Sequence, residues 1–176
     1  PQRGTFISRI NYVSVLDARF LREAIEADII KILALNSDAA LCNELERQLA
    51  AQRECDDNDA QKFIALDDLF HQTMADAAGK IGTWKQIEGL KTQMDRVRYL
   101  ALGKFPVANL VKQHATVVSN IKKQNVAEAD QSIRLHLREV LRDLPQIVAA
   151  NPDFFELPEG RVPTPVNAPI QQGENQ

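Results

Sequence analysis

The chain has 176 residues, 44% of them hydrophobic and 26% charged, the balance of a soluble globular protein long enough to bury one sizeable core. A net charge of −3 argues against a piece that grips nucleic acid by itself, because such binding is driven by a surplus of lysine and arginine. No apolar run approaches the roughly 20 residues needed to span a bilayer, and Cys42 and Cys55 suit neither a metal pair nor a disulfide framework, reading instead as reduced thiols of a cytoplasmic protein.

The chain opens on Pro1 rather than Met and shows no signal segment, so it reads as a processed or truncated piece. Residues 1–10, "PQRGTFISRI", pair a Gly turn with alternating Thr, Phe, Ile and Ser, which predicts a short strand or half a hairpin with no partner in the chain. Helices follow. Ser14 with Asp17 signals an N-cap for a helix over about 14–35, and Ser37 can cap a second over about 38–55 with Leu41, Leu45 and Leu49 on one face. The acidic run "DDND" at 56–59 breaks the chain and caps a third helix over about 60–78. "AGKIG" is the next break, after which Thr83 and Gln86 form a capping box for a fourth helix reaching about 102. Pro106 opens a fifth at its favoured first turn. Asn125 with Glu128 starts a sixth that runs to about 149, with Pro145 kinking it or shortening its last turn. From Asn151 to Gln176 the chain is Pro-rich and aperiodic, an extended or disordered tail. The expected fold is all-α: an antiparallel bundle of about six to seven helices over residues 11–150, six of them legible along the chain.

All three histidines fall on apolar faces. On the third helix, steps of about 100° per residue place Asp67 and His71 beside the stripe of Phe63, Leu66, Phe70 and Met74, while Asp68 faces away. An i, i+4 pair of this kind sits on neighbouring turns, within reach of one ion. His114 lies amid Val107, Leu110, Val111 and Val118, and His136 borders the stripe of Ile133, Leu137 and Val140. The fifth and sixth helices should form a hairpin turning near Asn125. His114 lies 11 residues before that turn and His136 lies 11 after it, so the two imidazoles stand level. Each histidine alone could be a hydrogen-bonded core residue; together with Asp67 they make a three-nitrogen, one-oxygen set able to hold a metal.

These stretches resemble the FCD domain, the effector-binding and dimerisation module of FadR-type regulators in the GntR family. "FLREAIE" at 20–26 is similar to that family's first helix, "LDDLFHQTMADAAG" at 66–79 to its Asp-x-x-x-His helix, and "KQHATVVSNIKKQNVAEADQSIRLHL" at 112–137 to its closing histidine hairpin. "LDDLFH" and "IEGLKTQMDRVRYL" resemble its RspR-like branch, and "PQRGTFIS" resembles the wing that ends the family's N-terminal winged helix-turn-helix. The resemblance implies one divalent metal on Asp67, His71, His114 and His136, a small organic acid as effector, a homodimer, and control of operator DNA through a winged helix domain of which residues 1–10 would be the remnant. Arg3 and Gly4 would approach DNA in the full-length protein.

Three imidazoles and a carboxylate leave two positions open on an octahedral ion and admit zinc, nickel, manganese or iron. Arg22 and Arg98 are candidates for a guanidinium clamp on the effector's carboxylate. No catalytic residue is assigned. The residues three before each histidine are Asp68, Val111 and Ile133, so the paired Glu-x-x-His pattern of di-metal oxidases is missing. A metal-dependent enzyme acting on small acids and a ligand-free dimerisation module remain the alternatives.

Overall fold

The computed structural model describes residues 8–56, 59–102 and 107–160. Seven α-helices and one pair of short strands occur among them: β1 (Ile10–Asn11), α1 (Tyr12–Leu35), α2 (Ala39–Arg53), α3 (Ala60–Ala77), α4 (Ile81–Leu90), α5 (Thr92–Leu102), α6 (Val107–Lys122), α7 (Val126–Ala150) and β2 (Phe155–Glu156). The all-α bundle is as expected. No helix among the described residues is long and apolar enough to cross a membrane.

Local chemistry sets most of the boundaries. Asp59 accepts from Lys62 N at 3.0 Å and starts α3, and Asn125 accepts from Glu128 N at 3.3 Å and starts α7. Both starts follow the sequence reading; two other caps lie elsewhere. Asn11, not Ser14, caps α1 by accepting from Ser14 N at 2.9 Å, and Asp38, not Ser37, caps α2 by accepting from Ala40 N at 3.1 Å. In each case a side-chain oxygen, the amide oxygen of Asn11 or the carboxylate of Asp38, within reach of a free N–H displaces the hydroxyl.

α3 ends in a Schellman arrangement. Gly79, at φ 68°, lets its own N–H reach Asp76 O at 2.8 Å and Lys80 N reach Ala75 O at 2.7 Å. α4 then begins at Ile81 without a side-chain cap, so Thr83 lies inside the helix and the capping box over 83–86 does not form. The single fourth helix expected over 83–102 is two helices, broken at Lys91. The Lys91 ammonium is buried between Asp68 (2.6 Å) and Asp95 (2.7 Å), and this pairing anchors the break. Pro145 does not shorten α7, which continues to Ala150, because the proline lies on the exposed face where water has access to the carbonyl it leaves open.

The ends of the bundle meet. β1 pairs in parallel with β2, Ile10 opposite Phe155 and Asn11 opposite Glu156, so the orphan strand has a partner and the tail is structured as far as Gly160, through a 3₁₀ turn over Pro152–Phe154. Pro106, Arg3, Gly4 and the tail beyond Gly160 lie outside the described residues. Two cores result. The main one fills the space between α1, α2, α3, α4, α6 and α7 around Phe63, Phe70 and Trp84, each worth about 1.5–3 kcal/mol on burial. The smaller gathers Ile10, Val15, Met94, Val97, Leu144, Ile147 and Phe155 at the strand end. Cys42 and Cys55 are buried.

Candidate metal centre

α3, α6 and α7 bring one polar cluster into the main core. Asp67 and His71 sit one turn apart on α3, and His114 and His136 face each other across the α6–α7 hairpin, all four buried. The hairpin turns through Gln124 at φ 56°, with Asn125 N on Asn120 O at 3.1 Å and Gln124 N on Ile121 O at 2.9 Å, a second Schellman closure. It sets the two imidazoles level, as their equal spacing from Asn125 predicts. His114 Nε2 lies 3.1 Å from His136 Nε2, which lies 3.3 Å from His71 Nε2. Asp67 closes the set, with Oδ1 3.4 Å from His114 Nε2 and Oδ2 3.8 Å from His71 Nε2.

The outer nitrogens decide what faces inward. His114 Nδ1 is 2.9 Å from Gln52 Oε1, whose amide nitrogen donates to Leu66 O at 3.3 Å and so fixes the oxygen toward the ring. His136 Nδ1 is 3.0 Å from Gln113 Oε1. Glu26 Oε2 lies 2.5 Å from His71 Nδ1, off the axis of a straight hydrogen bond. The amide oxygens place the protons of His114 and His136 on Nδ1, the Glu26 carboxylate beside His71 Nδ1 favours the same tautomer there, and three Nε2 lone pairs then face one another and a carboxylate. Such an arrangement repels itself. One cation at its centre converts the repulsion into coordination, so these residues fit a divalent metal.

The chain matches the FCD domain over residues 17–139, most of its length, and all four residues of the cluster lie inside that span. It belongs to the FCD domain family. An uncharacterised HTH-type transcriptional regulator from an unstable DNA locus of Streptomyces ambofaciens is 34% identical over 164 residues, 93% of this chain and 69% of that protein. The HTH-type transcriptional repressor RspR of Escherichia coli is 32% identical over 157 residues, 88% of this chain and 69% of RspR. These are names of regulators rather than enzymes, and the resemblance to FadR-type members of the GntR family holds.

Within this FCD domain the charges around the cluster are matched. Burial pushes the Asp67 carboxyl up, and the guanidinium of Arg98 more than reverses this, holding it well below the usual range. Burial likewise raises Glu26, and the charge of Arg22 foremost brings it down to about 2. Desolvation pushes His114 down to about 3 and His136 well below its ordinary value, so both rings are neutral at physiological pH, the form that ligates a metal.

The two arginines expected to clamp an effector occupy different situations. Both line a cavity of about 110 Å³ beside Asp67 and His136. Arg98 is already engaged with Asp67, with Asp68 at 3.2 Å and with Asp95 at 3.1 Å. Arg22 donates its Nε to Glu26 at 2.6 Å and leaves Nη2 buried with no hydrogen-bond partner among the described residues. Sequence reasoning missed Glu26, Gln52 and Gln113. Two had signals: Glu26 stands four residues after Arg22 on the same face, and Gln52 continues the stripe of Leu45 and Leu49 where another Leu would pack.

Proposed function

We propose that this FCD domain binds one divalent cation through Asp67, His71, His114 and His136, and uses the adjoining cavity to sense a small carboxylic or sugar acid. Bound there, the cation supplies positive charge and a Lewis-acidic contact for the acid's carboxylate. Arg22 offers that carboxylate a buried donor, and Arg98 holds Asp67 in place while adding charge at the same end. The observation that carries this reading is the convergence of three Nε2 atoms and a carboxylate, each imidazole backed by an oxygen at Nδ1. Zinc, nickel, manganese and iron all suit the donor set. In the full-length regulator the domain would pair with a second copy in the cytoplasm, and the acid would bias two arrangements of the bundle that respace winged helix domains on operator DNA.

The chain's sole tryptophan makes the metal step measurable, because Trp84 stacks on His71 with ring centroids 6.3 Å apart and planes 1° apart. Nickel added to chelator-stripped protein is expected to quench Trp84 emission and saturate at one ion per chain. His114→Ala should abolish saturable quenching while far-ultraviolet circular dichroism stays unchanged. A folded wild-type chain that takes up no nickel, zinc, manganese or iron would sink the proposal.

A further inference from the structure

Beyond its Arg22 and Asp67 end, the cavity wall is mostly hydrocarbon. Met94 and Leu102 of α5, Leu110 of α6, and Leu137, Val140 and Ile147 of α7 supply it. The other charged side chains on the lining, Glu139, Arg142 and Asp143, pair with one another: Arg142 contacts Glu139, and its Nε lies 3.2 Å from Asp143 Oδ1. Asn109, exposed at the rim, is the remaining uncharged polar side chain on that lining. A molecule entering with its carboxylate toward Arg22 therefore lays its other end against hydrocarbon. At about 110 Å³ the cavity is of the order of those that hold one small molecule. Small, single-headed ligands fit it.

We infer that the effector is a short monocarboxylic acid with an apolar tail, rather than a hydroxylated or sugar acid. This rests on the acid-sensing reading and narrows it. A hydroxyl buried against Leu137 or Val140 gives up its hydrogen bonds to water and gains none, whereas a methylene in the same place is favoured. The guanidinium groups that could compensate are engaged, Arg98 with three aspartates and Arg142 with its two neighbours, and Asn109 lies exposed at the rim.

The test compares acids of equal carbon number on the zinc-loaded chain by titration calorimetry: butyrate against threonate, and hexanoate against gluconate. Each alkanoate is expected to bind at least about tenfold tighter than its hydroxylated partner, the discrimination that one unpaired buried hydroxyl supplies. Ala101, half-buried on the same wall, gives the control for place. Ala101→Phe should abolish alkanoate binding while zinc still binds with unchanged stoichiometry. Equal or tighter binding of threonate and gluconate would overturn the inference and leave acid sensing standing. Zinc uptake with no response to any of the four acids would overturn both. Alkanoate binding unaffected by Ala101→Phe would place the acid outside this cavity and overturn the inference as well.

Discussion

Gln52 shows how much of the candidate metal site lies outside the four clustered residues. Its amide nitrogen is committed to Leu66 O, so its oxygen turns on His114 Nδ1 and holds that ring in one tautomer. Outer partners of this kind typically carry about 10–100-fold of metal affinity. Gln52→Met keeps the volume and removes the acceptor. It is expected to weaken nickel or zinc binding by about that factor with helicity intact, read by competition against a chromogenic chelator. Unchanged affinity would show that His114 is oriented by its packing on Phe70, whose ring stacks on it at 4.5 Å, and not by the amide. The cluster of Asp67, His71, His114 and His136 was legible because both cues are one-dimensional: a four-residue step on one helix, and equal spacing from one turn. Their partners were not. Gln52 and His114 are 62 residues apart, and only packing of α2 on α6 brings them together.

At the scale of elements, the α6–α7 hairpin fixes the height of His114 against His136, and its closure rests on Gln124 in the left-handed region. A non-glycine residue there is strained, and glycine is not. Gln124→Gly should raise stability by about 0.5–1 kcal/mol, a gain of several degrees in Tm, with metal binding untouched. The mirror experiment is Gly79→Ala at the end of α3. A Cβ there meets nothing within 4 Å, so its cost comes from the backbone alone, about 1 kcal/mol. Thermal unfolding of both variants checks the pair; a fall for Gln124→Gly would mean that its side chain makes a contact worth more than the strain. The helix boundaries were readable where a cap has one candidate, as at Asp59 and Asn125. They were misplaced where two polar residues compete, as at Asn11 and Ser14. The break at Lys91 was invisible along the chain, since it depends on Asp68 of another helix.

The whole molecule places ionisable groups in its core, which ties its stability to pH. Strand β1 could not be given a partner from sequence because Ile10 and Phe155 stand at opposite ends of the described chain; the satellite core that joins them contains Met94 and Ile147, which also wall the cavity. Acid should act on the other core. His114 is held down to about 3 from its ordinary 6.5 by burial, and His136 is lowered for the same first reason. Between those limits the unfolded chain binds protons that the folded chain refuses, so stability falls as pH falls, by up to about 1.4 kcal/mol per unit for each ring. Glu26 adds to this from lower pH. Its carboxyl is brought from 4.5 to about 2, so the stability it contributes is complete above 4.5 and is lost as pH drops toward 2. All three effects have one sign. The chelator-treated chain should therefore show a level urea midpoint above about pH 7, a decline beginning near 6.5, and a steeper one below about 4.5. His114→Gln removes one titrating ring and should flatten the first decline while leaving the second. Midpoints that stay level from pH 8 to 5 in wild type would mean that the buried rings accept protons without cost, and that the core around them is wetter than its packing implies.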